Sequence, residues 1–73
     1  MWEKELYRRK MVLAANIKKM RLERGMAQER LALEAGVDRT LVSKIERKIA
    51  NPSLEILVKL ACVLKVKVTS LLD

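Results

Sequence analysis

Four hydrogen-bonding side chains stand close together near the middle of the sequence: Arg39, Thr40, Ser43 and Lys44. A helix through this stretch would turn Val42 and Ile45 inward, because they are apolar and three residues apart, and would leave the polar side chains outward. Arginine can offer two N–H donors to guanine O6 and N7, lysine can reach the same acceptors or a phosphate, and the threonine methyl group can contact thymine. These residue types suit contact with an anionic, base-bearing surface, and the alternative at this point is a basic helix side that only faces solvent.

The composition excludes most catalytic and metal-binding chemistry. The 73 residues include no histidine, so neither a histidine base nor a histidine-ligated metal can be built. The single Cys62 can form neither an internal disulfide nor, by itself, a zinc site. No carboxylate pair is placed to line a cleft, so we expect neither an enzyme, nor a metal, nor a cofactor.

Charge and residue usage bound the class of protein and its partner. Lys and Arg total 16 against 9 Asp and Glu, and this balance of +7 favours a polyanionic partner, either nucleic acid or an acidic membrane surface. No apolar run approaches about 18 residues, the first residues are unlike a signal peptide, and the free thiol suits a reducing compartment. We therefore expect a cytoplasmic protein without a membrane partner.

The spacing of apolar residues predicts five helices and no strand. Only two glycines and one proline interrupt a chain that is 51% hydrophobic, which favours helices around an aliphatic core. Gly25 and Gly36 are predicted helix stops, and Asp38 is the predicted N-cap of the third helix. The predicted helices cover residues 3–24, 28–35, 39–47, a segment that starts at Pro52-Ser53 and reaches residue 64, and about 68–72.

The second and third predicted helices fit together as one unit. Gly36 supplies the positive φ that a tight turn needs, and Ala32 is small enough for the helices to cross closely. Val42 and Ile45 provide the apolar anchors of the second arm. These offsets predict a helix-turn-helix unit, in which the second arm enters the major groove of DNA.

The same segment carries a recognisable pattern, which reads Gln28-x-x-Leu31-Ala32-x-x-Ala35-Gly36-Val37-x-x-x-x-Val42-Ser43-x-Ile45-Glu46-Arg47, then Asn51-Pro52-Ser53-Leu54. It resembles the lambda-repressor-like (XRE) DNA-binding family over roughly residues 13–72. The resemblance implies a compact all-α five-helix domain over 13–73, with residues 1–12 as an N-terminal extension of the first helix. Asp38-Arg39-Thr40 and the chain length resemble, more narrowly, the controller proteins of restriction–modification systems.

The resemblance assigns roles to individual positions. Base reading falls on Arg39, Thr40, Ser43 and Lys44. Contacts to DNA phosphates fall on Gln28, Arg47, Lys48 and Asn51. Arg21 and Glu46 occupy the positions of a buried structural ion pair. The sequence departs from the family at Ala27, where a capping Ser or Thr is usual, and at Lys48 and Lys65, where Gly is usual; a positive φ at either lysine would cost about 1 kcal/mol.

A second copy of the chain is the expected partner, because one recognition helix reads too few base pairs for genomic specificity. We expect a two-fold interface from the last two helices, through the apolar residues Ile56, Val63, Val66, Val68, Leu71 and Leu72. The alternative for Leu71 and Leu72 is that they close the core of the monomer.

The sequence thus predicts a transcriptional regulator that binds a palindromic operator in double-stranded DNA as a homodimer, on the nucleoid, and that blocks or recruits RNA polymerase. A restriction–modification controller is the narrower form of this prediction. Two alternatives stay open: an antitoxin or adaptor that uses the same fold to bind a partner protein, and a basic helical protein that binds RNA or membrane without sequence preference.

Overall fold

The computed structural model describes all of residues 1–73 and contains five helices and no strand. The helices are α1 (Trp2–Glu23), α2 (Gln28–Ala35), α3 (Leu41–Glu46), α4 (Leu54–Leu64) and α5 (Val68–Leu72). The predicted all-α fold with five helices is confirmed. No helix is both long enough and apolar enough to cross a bilayer.

One aliphatic core joins all five helices. Ile17 of α1, Leu31 of α2, Val42 of α3, Leu60 of α4 and Leu71 of α5 are each 0% exposed. Burying a side chain of this size contributes about 1.5–3 kcal/mol, so each of the five helices is held to the core by at least one such residue. Because α3 packs its inner side on α1 and α2, its opposite side is left at the surface.

The N-terminal residues continue α1 without a break. The helix spans 22 residues, and its first half leaves Trp2, Tyr7 and Met11 exposed. Two polar side chains fasten the helix to the end of α5. Arg9 Nη1 donates to the Leu72 carbonyl at 2.7 Å, and Asn16 Nδ2 donates to the carbonyls at the end of α5 at 3.1–3.2 Å. These bonds satisfy carbonyl groups that a helix C-terminus leaves without partners.

Four residues have left-handed backbone conformations, and two of them are not glycine. Gly25 and Gly36 have φ of 65° and 68°, as their positions after helices require. A Cβ at Gly36 would meet no atom within 4 Å, so the backbone conformation, not crowding, requires glycine there. Lys48 and Lys65 have φ of 66° and 57°, so the conditional strain of about 1 kcal/mol at each position applies.

The start of the third helix differs from the prediction. We expected it to begin at Arg39 with Asp38 as N-cap, but α3 begins at Leu41. Asp38 Oδ1 accepts from the Thr40 N–H at 2.9 Å, and the Asp38 carbonyl accepts from Leu41 N–H at 3.0 Å. Asp38 therefore makes the side-chain bond expected of a cap, but the bond closes one turn through Arg39 and Thr40 before α3 begins.

The fourth helix shows a smaller difference of the same kind. It begins at Leu54, and Pro52 stands outside it. Ser53 is the N-cap, and its hydroxyl accepts from the Ile56 N–H at 3.2 Å. A serine hydroxyl satisfies one of the free N–H groups of the first turn, which is why the helix starts immediately after Ser53.

Candidate nucleic-acid interface

The outer side of α3 and the turn before it form a polar surface, which we call the α3 face and define by Arg39, Thr40, Ser43 and Lys44. Arg39, Thr40 and Lys44 are exposed, and Ser43 is half-buried. The opposite side of the helix is anchored by Val42 and Ile45, which are 0% and 2% exposed. The apolar spacing in the sequence thus fixes which side chains face outward, and the polar side is free to meet a partner.

Thr40 is held by its neighbour two residues back. Its hydroxyl donates to Asp38 Oδ1 at 2.7 Å, in addition to the backbone bond from Thr40 N–H. These hydrogen bonds favour the charged carboxylate, so they hold the pKa of Asp38 below its usual value, with Lys44 and Arg39 adding to the effect. Because its hydrogen is committed to Asp38, the Thr40 hydroxyl presents its oxygen and the side chain its methyl group.

Arg39 is engaged by a residue that the sequence did not single out. Its Nη2 donates to Oε1 of Glu29, on the first turn of α2, at 2.6 Å, and the two side chains are 79% and 69% exposed. The sequence separates these residues by ten positions on two elements. Only the crossing of α2 and the turn before α3 brings them together, so no local pattern could have found the pair.

Behind the α3 face lies a nearly buried ionic network. Arg21 Nε and Nη2 donate to the two carboxylate oxygens of Glu46 at 2.7 and 3.0 Å, with side chains only 9% and 8% exposed. Arg21 Nη1 also donates to the Met26 carbonyl at 2.7 Å. The network connects α1, the end of α3 and the loop before α2, so it fixes how the helix-turn-helix unit sits on α1.

Gln28 belongs to the same network. Its Nε2 donates to Glu46 Oε1 at 3.0 Å, so the amide is fixed rather than free in solvent. No side chain caps the start of α2, because Ala27 has no hydrogen-bonding group. The first N–H groups of α2 therefore have no partner within the helix and stay available to an anion.

The remaining predicted phosphate contacts surround the C-terminal end of α3. Arg47, Lys48 and Asn51 are all exposed. None of Lys44, Arg47 or Lys48 takes part in an ion pair. The α3 face is thus bordered by unneutralised positive charge.

The predicted dimer residues lie on α4, α5 and the loop between them, and Ile56 at the start of α4 lines a groove that it shares with Thr40 and Lys44. Leu71 is 0% exposed and packs wholly within the protomer, as the alternative for this residue anticipated. The other five are half-buried and pack partly against the core: Ile56, Val63, Val66, Val68 and Leu72. Of the six predicted residues, these five retain exposed surface that a partner could cover.

The short third helix follows α2 across a tight glycine turn and exposes a polar side. In an all-α domain, this arrangement is typical of helix-turn-helix proteins. The chain belongs to the helix-turn-helix family HTH_3, whose model matches residues 17–71. The members of this family are DNA-binding transcriptional regulators and not enzymes.

Two curated regulators show the family relationship in sequence. A hypothetical transcription factor of Neisseria meningitidis serogroup B is 44% identical over 61 residues, which make up 84% of the chain and 58% of that protein. The HTH-type transcriptional regulator SinR of Bacillus subtilis is 41% identical over 63 residues, which make up 85% of the chain and 57% of SinR. The chain therefore spans little more than half the length of these relatives.

Solved structures show the same relationship in three dimensions. The structure of SinR in complex with DNA has a TM-score of 0.80 and 42% identity. The match covers 84% of the present chain and 98% of the SinR chain. The restriction–modification controller protein C.AhdI of Aeromonas hydrophila has a TM-score of 0.81 and 32% identity, over 85% of the chain and 94% of that one.

Proposed function

We propose that the chain is a sequence-specific regulator of transcription that binds a palindromic operator in double-stranded DNA as a homodimer. The observation that carries the proposal is the α3 face: an outward cationic surface whose backbone is held by Val42 and Ile45 in the core. A helix fixed in this way can enter the major groove without rearrangement. The similarity to the DNA-bound SinR structure supports the same mode of binding.

Base reading is assigned to the four residues of the α3 face. Arg39 directs a bidentate pair of donors to guanine, and Lys44 reaches guanine acceptors or a phosphate. The Thr40 methyl group is suited to thymine, because Asp38 occupies the hydroxyl hydrogen. Ser43, which is half-buried, is placed for a hydroxyl contact of either kind.

Positioning on the DNA is assigned to contacts with the sugar–phosphate backbone. The uncapped start of α2 offers N–H groups to a phosphate, and Gln28 stands at that start with its amide held by Glu46. Arg47, Lys48 and Asn51 supply contacts at the far end of α3. These contacts are independent of sequence, so they set the register in which the α3 face meets the bases.

The dimer is assigned to α4 and α5, through Ile56, Val63, Val66, Val68 and Leu72. These five aliphatic side chains are half-buried, so each leaves apolar surface that a partner could cover. A two-fold pairing there would place two α3 faces on successive major grooves, about 34–36 Å apart. Occupation of such a site blocks RNA polymerase or recruits it, on the nucleoid in the cytoplasm.

The narrower assignment is a controller of a restriction–modification system. The chain covers 94% of C.AhdI, so the two proteins are similar over nearly the whole controller. Asp38-Arg39-Thr40, the tripeptide behind this assignment, forms the turn that presents Arg39 and Thr40.

The decisive experiment selects bound duplexes from a random pool and sequences them. We expect a palindromic motif whose half-sites are separated by about one helical turn, and a complex of two chains per duplex. Recovery of unrelated duplexes would contradict sequence-specific binding. Stoichiometric capture of a partner protein, with no salt-sensitive DNA binding, would support the adaptor alternative instead.

A further inference from the structure

Glu29 is the carboxylate that forms an ion pair with the α3 face. It accepts from Arg39 Nη2 at 2.6 Å, whereas Lys44, Arg47 and Lys48 have no ion-pair partner. The two paired groups lie on different elements, on either side of the glycine turn. An exposed pair of this kind contributes little to folding stability, so stability is a poor reason for its presence.

The geometry leaves Arg39 with donors to spare. A guanidinium has five N–H groups on three nitrogens, and Glu29 engages only Nη2. Nη2 keeps its second N–H, which together with Nη1 or Nε still offers a two-point contact to a base on the side that Glu29 leaves free. Because Glu29 holds the planar group by a hydrogen bond, fewer orientations are open to it. The group therefore loses less conformational entropy when it binds a base.

The same carboxylate opposes general attraction to DNA. Glu29 stands in the first turn of α2, beside the N–H groups to which we assign a phosphate. A negative charge there repels every duplex alike. Without Glu29, Arg39 would be free to pair with any phosphate in reach, which adds affinity without adding sequence information.

We propose that Glu29 is a specificity-determining positioning residue, which orients the Arg39 guanidinium toward one base pair and lowers the affinity for all other sequences. The proposal rests on the proposed function, because it needs Arg39 to read a base. Glu29 acts through Arg39 and need not touch DNA itself. Leu33 and Val37 line the same shallow depression as Glu29 and Arg39. The methylene groups of Arg39 therefore have apolar surface beside the ion pair on which to pack.

The test compares Glu29→Gln with a matched control on the same helix. Glu34→Gln removes the same charge from α2, but Glu34 pairs with Arg30 and not with the α3 face. Affinities are measured at one salt concentration for the selected duplex, for a set with each base pair changed in turn, and for an unrelated duplex. Thermal unfolding verifies that each variant folds.

For Glu29→Gln we expect tighter binding to the unrelated duplex, by several-fold, together with a several-fold loss of discrimination at one base pair. That base pair is the one affected by Arg39→Ala. In an Arg39→Ala background, Glu29→Gln changes discrimination no further, because the group that it positions is gone. Glu34→Gln changes affinity for all duplexes alike and leaves discrimination intact.

Two results would overturn the proposal. One is a Glu29→Gln protein that gains affinity for every duplex while its discrimination stays that of the unchanged chain, which would make Glu29 a source of repulsion only. The other is a loss of discrimination at a base pair that Arg39→Ala does not affect. Failure of the proposed function is visible separately, since Arg39→Ala would then leave sequence preference unchanged, and this proposal would fall with it.

Discussion

Glu46 accepts hydrogen bonds from two elements at once, α1 and α2. Arg21 contacts both of its oxygens, and Gln28 contacts one of them. Every buried polar side-chain atom of the protein has a hydrogen-bond partner. Because the pair is almost fully withdrawn from solvent, removing one partner leaves the other charge without compensation.

We expect Glu46→Gln to lower the free energy of unfolding by about 3–5 kcal/mol, because Arg21 then keeps a buried charge without a counter-ion. Chemical denaturation monitored by circular dichroism measures the change. Glu34→Gln is the control, since the exposed pair with Arg30 should contribute no more than about 0.5 kcal/mol. A loss under about 1 kcal/mol for Glu46→Gln would mean that water reaches the pair in solution.

Backbone strain at Lys65 gives a prediction of the opposite sign. Its φ of 57° lies in the left-handed region, where a Cβ crowds the backbone and glycine is unstrained. We therefore expect Lys65→Gly to raise the free energy of unfolding by about 0.5–1 kcal/mol. Lys67→Gly is the matched control, because Lys67 has a φ of −73° that any residue adopts. Equal effects of the two glycines on the denaturation midpoint would contradict the strain at Lys65.

The short elements around the glycine turn decide where recognition begins. α3 is only six residues long, and the Asx turn of Asp38 supplies the two exposed residues that precede it. A six-residue helix has little stability of its own, so its position depends on the two buried anchors and on the turn. A change in the turn should therefore affect both the stability and the placement of Arg39 and Thr40.

The Asp38 turn predicts a pH dependence of stability. The pKa of Asp38 is lowered in the folded protein by its hydrogen bonds to Thr40, so the stability that it contributes is present above the usual value of 3.8. That contribution is lost as the pH falls through the lowered value. We expect Asp38→Asn to be less stable than the unchanged chain at neutral pH, and the difference in melting temperature to vanish in acid.

Comparing Asp38→Asn with the unchanged chain isolates the contribution of Asp38. Glu5, whose pKa is lowered by Arg9, is present in both proteins, so its titration cancels in the difference. A difference in melting temperature that persists unchanged below the lowered pKa would assign the effect to something other than the carboxylate charge.

At the scale of the whole molecule, net charge and shape act together. The chain carries +7 on a body of about 36 × 22 × 20 Å, and Lys44, Arg47 and Lys48, on or beside the α3 face, are among its cations without an ion pair. Long-range attraction brings such a surface to any duplex, and the α3 face then distinguishes one sequence from another.

Binding should therefore depend steeply on salt and little on pH near neutrality. If about 6–10 phosphates are neutralised, affinity should fall roughly a thousand-fold or more between about 50 and 200 mM salt. Lys48→Ala should weaken binding to all duplexes alike and reduce the slope of log affinity against log salt by about 1. Fluorescence anisotropy with a labelled duplex measures both, and a slope unchanged in Lys48→Ala would remove Lys48 from the phosphate contacts.

The number of helices, their approximate limits and the side of α3 that faces the core were predictable from the sequence alone. These features follow from local periodicity, from glycines at positive φ and from the offsets of Ala32, Val42 and Ile45, all of which are readable within one or two turns. The strained conformations at Lys48 and Lys65 were also inferable, since both residues stand where the family pattern has glycine.

The contacts between elements could be established only from the folded protein. The pairing of Glu29 with Arg39, the engagement of Gln28 by Glu46, the anchoring of α5 by Asn16 and the complete burial of Leu71 all depend on how helices cross. Crossing is set by the packing of the whole core, and no window of neighbouring residues contains that information. The local sequence therefore determines which side chains face outward, whereas the fold determines which residues orient them.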